Sequence, residues 1–304
     1  MRLPKGGIGF FDSGIGGLTV MDACQKVGKG ETFYYYGDNK RAPYGNLSQE
    51  KIRKYVFRAF KKFRKLHVRA VVIACNTVTA VCVEELRRKF SFPIIGAEPA
   101  LLPAVREGGK VLVLTTRATF ESVRFLKLQQ RAKECYPCAD VECYPCVGLA
   151  GGIEKWIEDP RVEIECFLPN RRPDIVVLGC THYLYVKEQI SRFYGCETID
   201  GNEGIARRLQ KVLDEKNSAK SALRPPDVKP RPRDAKIGIF LPFLTTFIHL
   251  KIAFKEINKN TNKCSRVISL KPFKQKECNV FFMGSGRRKN HKIWEQMFAF
   301  HPQK

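Results

Sequence analysis

Acidic side chains are scarce in this chain of 304 residues: 30 Asp and Glu stand against 54 Lys and Arg, a net charge of +24. The imbalance is concentrated towards the end. Residues 215–304 hold 20 basic and 6 acidic side chains, a net +14. Such an excess suits weak binding of polyanions such as nucleic acid or anionic lipid, and it equally suits a solvated basic surface. Specific nucleic-acid readout lacks its signatures, because there is no aromatic-interleaved RNA motif and no zinc-finger spacing. Residues Met1–Phe10 hold no long apolar run with a small-residue cleavage site, so no secretory signal is expected there. Ile237–Phe254 is strongly apolar, yet Pro242, His249 and Lys251 interrupt it. It falls short of the roughly 20 apolar residues that span a bilayer. A packed or partly ordered helix is the expectation, with a helix lying on a membrane surface as the alternative.

What the chain does have is alternation. Ile8–Phe11, Thr32–Tyr36, Val71–Ala74, Pro93–Ile95, Lys110–Leu114 and Ile175–Leu178 are short, apolar and rich in β-branched residues, and they read as buried parallel strands. Val78–Phe90 and Leu184–Phe193 place apolar residues at helical intervals between them. This order predicts βαβ units and a doubly wound α/β sheet. The sequence also echoes itself. Val71-Val72-Ile73-Ala74-Cys75-Asn76-Thr77 resembles Val176-Val177-Leu178-Gly179-Cys180-Thr181-His182, an apolar strand running into Cys and small polar residues. The echo predicts two similar α/β lobes in a pseudo-two-fold relation, facing each other across a cleft. Asn217–Asp234, rich in Pro, Lys and Arg, reads as a linker or exposed loop.

Phe10-Phe11-Asp12-Ser13-Gly14-Ile15-Gly16-Gly17 is a strand entering a glycine-rich turn and then a helix, whose N–H groups can hold an anion. Thr19 stands where a dinucleotide fingerprint needs its last glycine, so that reading fails. Asp12 and Ser13 lie at the carboxyl end of a strand, where open α/β sheets bind ligands. Gly37–Gly45 is a polar turn after the next strand. Among 12 cysteines, Cys75 and Cys180 occupy matched strand ends. In a reducing compartment such thiols serve chemistry, metal binding or core filling. The α-proton of an amino acid is a very weak acid, and inverting that carbon needs a base on one face and an acid on the other. A thiol of ordinary pKa ~8.5 suits the task when a helix N-terminus or a cation favours its thiolate. Each of the two is expected where a helix begins. Asp12 and His182 are placed to adjust protonation at the two thiols. Asn76, Thr77 and Thr181 are small hydrogen-bonding residues suited to substrate carboxylates. A single buried Cys usually fills core; two at equivalent strand ends point to chemistry.

Together these segments resemble glutamate racemases, of the aspartate/glutamate racemase family. Phe11–Val20 is similar to that family's opening signature. Pro43-Tyr44-Gly45, Ala74-Cys75-Asn76-Thr77 and Leu178-Gly179-Cys180-Thr181-His182-Tyr183 resemble its later landmarks in the right order, with Gly96–Pro99 and Thr116–Ser122 as weaker ones. The likeness covers about residues 7–214. It implies two α/β lobes with the active site in the cleft between them. The N-terminal lobe would be residues 1–97 plus 205–304, completed by the chain's end, and the second lobe residues 98–204. It also implies an isomerase interconverting L- and D-glutamate with no pyridoxal phosphate, no other cofactor and no metal. Such an enzyme is cytoplasmic, supplies D-glutamate for peptidoglycan and is often a homodimer. By position, Cys75 takes the proton from D-glutamate and Cys180 from L-glutamate, with Asp12 and His182 as further catalytic groups. Asp12, Ser13, Tyr44, Gly45, Asn76, Thr77, Thr181 and His182 bind substrate, and Glu154 is a further pocket residue.

The chain departs from the pattern in places. Asn39-Lys40-Arg41-Ala42 replaces the usual Thr-Ala-Arg-X, and Gly201-Asn202 follows Ile199-Asp200 where a small residue and Gly are commoner. Residues 215–278 form an atypical basic insertion ahead of Val280–Gly286 and a helix to Phe300, which resemble the family's closing strand and helix. Cys135-Tyr136-Pro137-Cys138 and Cys143-Tyr144-Pro145-Cys146 have the spacing of paired zinc ligands, but the four-residue gap is short for a zinc ribbon, and a strand edge or turn fits too. An aspartate racemase is the alternative within the superfamily. The Thr181-His182 pair argues for glutamate, because aspartate-specific relatives tend to carry an acidic residue in place of that His.

Overall fold

The computed structural model describes residues 3–222, 279–285 and 287–298. The chain opens with β1 (Ile8–Asp12), α1 (Gly17–Gln25), β2 (Thr32–Gly37), α2 (Gln49–Lys65), β3 (Ala70–Ile73), α3 (Asn76–Lys89), β4 (Ile94–Gly96) and α4 (Leu101–Glu107). It continues with β5 (Lys110–Thr115), α5 (Arg117–Phe120), α6 (Val123–Cys135), β6 (Asp140–Pro145), α7 (Leu149–Trp156), β7 (Ile175–Gly179), α8 (Lys187–Tyr194) and β8 (Glu197–Ile199). Then come α9 (Asn202–Ala222), β9 (Asn279–Met283) and α10 (Arg287–Phe298).

Two parallel sheets result. One has the order β4-β3-β1-β2-β9, the other β6-β5-β7-β8. Strands this apolar form parallel sheets because both faces are covered by helices, leaving no face for water. In the first sheet, Ile8, Phe10, Val72 and Phe282 pack on one side with Leu209 and Trp294. Phe11, Tyr34, Val71 and Ile73 pack on the other side with α2 and α3. Helix α2 shows why its sequence folds as it does. Ser48 caps it by accepting from Lys51 N, Glu50 sits in the first turn, and Lys62, Arg64 and Lys65 end it beside the negative pole of the dipole. Its buried residues Ile52, Val56, Ala59, Phe60 and Phe63 recur every three or four positions and form one stripe. The second sheet has its own two layers, one around Leu114, Leu178 and Tyr183 and one around Val113, Phe125 and Val177.

The closing strand resembles what the sequence leads one to expect and pairs beside β2, with Phe33 opposite Val280 and Tyr35 opposite Phe282. Three details differ from the sequence reading. β6 and β8 carry no apolar run: β6 is an edge strand holding Asp140 and Glu142, and β8 is only three residues long. Asn217–Ala222 continues α9 instead of opening a loop, because the first proline after it is Pro225 and the intervening Ala, Lys and Ser tolerate helix. Cys180 precedes a 3-10 helix over Thr181–Val186, and α8 begins only at Lys187. Most of the basic insertion and all of Ile237–Phe254 lie outside the described residues. Among the described residues, no helix is long and apolar enough to cross a membrane.

Candidate active site

The carboxyl ends of β1, β3, β5 and β7 supply most of the residues of interest, as expected where open α/β sheets bind ligands. Asp12 ends β1, Cys75 follows β3, Thr116 follows β5 and Cys180 follows β7. Cys75 is the N-cap of α3. Both sulfurs lie inside the protein, with Cys75 6 % and Cys180 7 % exposed. The charge of Cys180 is one of the smaller influences that raise the Cys75 thiol. A narrow cavity is lined by Asn76, Leu178, Cys180 and Thr181.

The two sheets meet through the glycine-rich turn. Thr181 Oγ1 donates to Asp12 Oδ1 at 3.3 Å, and Tyr185 OH donates to Ile15 O at 2.8 Å. Gly14 N donates to Asp12 Oδ2 at 2.8 Å, and Tyr35 OH donates to Gly14 O at 3.0 Å. A methyl group on Gly14 would sit 2.8 Å from Glu154 Oε1 and 3.2 Å from His182 Nε2. The glycines are thus required by the approach of the Cys180 loop, in addition to any turn geometry.

Each thiol has its own set of neighbours. Cys75 donates to Ser13 Oγ at 3.5 Å. Burial, with the charge of Asp12 added, pushes the Cys75 thiol up to about 12, although Ser13 and the Val78 N–H work the other way. Cys75 is therefore a thiol carrying a proton it can give. Cys180 Sγ lies 3.9 Å from His182 Nδ1, and His182 Nε2 lies 3.0 Å from Glu154 Oε1. Burial opposes charge on His182, but the bonds to Cys180 and Glu154 and their charges outweigh it and hold the imidazole well above its usual value. Burial likewise pushes the Glu154 carboxyl up, and His182 and Lys289 together overcome this and hold it below the usual range. Asp12 is pushed up by burial despite His182 and the Gly14, Gly17 and Thr181 donors.

Asn76, Thr77, Tyr44 and Gly45 complete the surroundings. Asn76 Oδ1 is buried with no hydrogen-bond partner, a costly state that an arriving donor such as an ammonium would relieve. Thr77 Oγ1 and Thr116 Oγ1 are 2.9 Å apart, and Gly45 lies against Thr116. Tyr44 OH donates to Asp38 Oδ2 at 2.6 Å. Sequence reasoning left out Asp38, which also takes Arg41 Nη1 at 2.7 Å and Ser285 Oγ at 2.8 Å. It also left out Lys289, which reaches Glu154 from α10. Asp38 stood in a segment read only as a polar turn, and Lys289 had no sequence signal. Among the described residues, no three His, Cys, Asp or Glu side chains gather closely enough to hold a metal.

Residues 19–209 match the model of the family described as Asp/Glu/hydantoin racemase. This chain belongs to that racemase family. Among its relatives, a glutamate racemase of Clostridium botulinum strain Loch Maree is 38 % identical over 229 residues, covering 71 % of this chain and 87 % of the relative. Among solved structures, Escherichia coli glutamate racemase in complex with L-glutamate and the activator UDP-MurNAc-Ala is 30 % identical with a TM-score of 0.62, over 70 % of this chain and 83 % of that one. Glutamate racemase of Francisella tularensis in complex with D-glutamate is 28 % identical with a TM-score of 0.59, over 71 % of this chain and 83 % of that one.

Proposed function

We propose that this racemase interconverts L- and D-glutamate without a cofactor, with Cys75 and Cys180 working on opposite faces of the α-carbon. The carrying observation is the placement of two buried thiols at the ends of two strands: burial pushes the Cys75 thiol up to about 12, and Cys180 Sγ lies 3.9 Å from His182 Nδ1. In the L-to-D direction, Cys180 as thiolate takes the α-proton, and the electron pair left on carbon delocalises into the carboxylate. The Cys75 thiol then delivers its proton to the other face and becomes the thiolate. The reverse direction uses the same groups in exchanged roles, and proton exchange through Ser13 and His182 resets them. Asn76 accepts from the substrate ammonium through its orphaned Oδ1. Ser13, Tyr44, Gly45, Thr77 and Thr181 surround the carboxylates, and Asp12 and His182 adjust the thiols. The product D-glutamate serves peptidoglycan synthesis in the cytoplasm, and the active form is a homodimer.

Incubating the chain with L-glutamate in the presence of a chelator and no added cofactor is expected to yield an equal mixture of enantiomers by chiral chromatography. Aspartate under the same conditions is expected to stay unchanged. Failure with glutamate, or a need for pyridoxal phosphate, would end the reading. The net +14 of residues 215–304 favours one addition, weak polyanion binding by the same chain. Phosphate contacts release counterions, so a gel shift should weaken steeply between low and physiological salt. Binding indifferent to salt would refute it.

A further inference from the structure

The C-terminal helix reaches the Cys180 side of the site through a relay of ion pairs. Lys289 Nζ on α10 lies 2.9 Å from Glu154 Oε2 on α7, and Glu154 Oε1 lies 3.0 Å from His182 Nε2. The ring's other nitrogen, Nδ1, faces Cys180 Sγ at 3.9 Å. Glu154 thereby fixes the ring. A carboxylate is only an acceptor, so Nε2 must carry its hydrogen, and Nδ1 is left as the position that gains and loses a proton opposite the sulfur. Each oxygen of Glu154 serves a different cation. A carboxylate shared in this way attracts each cation less than it would attract one alone, and Lys289 adds its own repulsion of a charged ring.

We propose that Lys289 is a positioning residue for the proposed reaction: by sharing Glu154 with His182, it sets how readily His182 passes its Nδ1 proton to Cys180. In that step the Nδ1–H bond breaks and an Sγ–H bond forms. The imidazolium becomes neutral imidazole, the thiolate becomes a thiol, and no other reactant is needed. The inference rests on the glutamate reading for its role in turnover, but the electrostatic link itself does not. The groups facing this relay are Asp12 from β1, Tyr35 from β2, Cys180 and Tyr185 from the β7–α8 connection and Glu158 from the turn after α7, with Cys75 beyond Asp12. Glu158 is the informative one. It takes Lys289 Nζ at 3.0 Å and so shares the lysine as the lysine shares Glu154.

The signs follow from charge. His182 holds its proton above the usual value, so its contribution to stability is present at low pH and is lost as pH rises through its folded-state titration. Lys289→Met keeps the apolar stem and removes the cation. Glu154 then serves His182 alone, and the ring should keep its proton to higher pH. Glu158→Gln frees Lys289 to draw harder on Glu154 and should shift His182 the opposite way, by less, since Glu158 is 70 % exposed.

The experiment is a pH titration of the substrate-free full chain labelled with 15N-histidine, with the His182 signal assigned by its disappearance in His182→Gln. The Lys289→Met midpoint is expected to rise by about half a pH unit or more. The Glu158→Gln midpoint should fall, and Lys289→Arg should stay with the wild type. In parallel, the kcat/KM profile with glutamate should move upward in pH for Lys289→Met, with Lys289→Arg restoring it. An unchanged or lowered His182 midpoint in Lys289→Met would overturn the proposal. So would Glu158→Gln moving the midpoint upward, which would mark general loosening. If the wild-type chain does not act on glutamate at all, the functional reading fails on that assay, while the His182 titration still decides the relay.

Discussion

Replacing either Cys75 or Cys180 with Ala is expected to stop glutamate interconversion in both directions, with a loss of about a thousandfold or more. Enantiomers have equal free energy in water, so the equilibrium constant is one and kcat/KM must be the same in each direction. No single substitution can therefore spare one direction. What a substitution can spare is half of the reaction. A thiol that takes the α-proton can exchange it with solvent and return a deuteron to the same face without inverting the carbon. In deuterium oxide, Cys180→Ala should still exchange the α-proton of D-glutamate, through Cys75, and leave L-glutamate untouched. Cys75→Ala should do the opposite, through Cys180. Mass spectrometry of each recovered enantiomer reads this directly. Substantial racemization by either variant would refute the two-thiol mechanism. Exchange in the reversed pattern would keep the mechanism and exchange the assigned faces.

The placement of Cys75 and Cys180 at the ends of β3 and β7 was legible in the sequence because each half of it is local. The Ala74–Thr77 and Leu178–His182 segments each join a strand end to its polar residues within a few positions, so one strand-end pattern marks both. Other contacts around the site join remote parts of the chain. Glu154 meets Lys289 across 135 positions, and Asp38 meets Ser285 across 247. No periodicity records such contacts, because they arise only when α10 and the β9–α10 turn settle on the two sheets. The 3-10 turn after Cys180 escaped for another reason. Leu184–Phe193 carries a helical spacing of apolar residues, but Tyr183 is drawn inward to donate to Thr115 O and Tyr185 to donate to Ile15 O. Those anchors tighten Thr181–Val186 and delay the α-helix to Lys187. β6 escaped because an edge strand is half exposed, and its Asp140 and Glu142 break the apolar run that marks buried strands.

Gly16→Ala is the second substitution expected to have a large effect, and it tests the join between the two sheets. Gly16 has φ −56°, an ordinary helical value, so alanine carries no conformational penalty there. Space is what forbids it. The added Cβ would press on Thr181 Oγ1 and come within 2.8 Å of both His182 N and Thr181 C, all in the loop that presents Cys180. Backbone atoms cannot swing aside as a side chain can, so the turn and the loop must part. A displacement of about 1 Å is expected to lower kcat by about a hundredfold, because proton transfer depends on near-contact geometry. Stability should fall by about 1–3 kcal/mol, as for other overpacked positions. Gly204→Ala is the matched control. It lies in α9 with open space around its Cβ position, and alanine there should leave the rate unchanged and raise stability by up to about 1 kcal/mol. Comparing kcat and thermal unfolding of the two variants separates the causes. If Gly16→Ala turned over glutamate at the wild-type rate, the contact between the glycine turn and the Cys180 loop would not govern the placement of the second thiol.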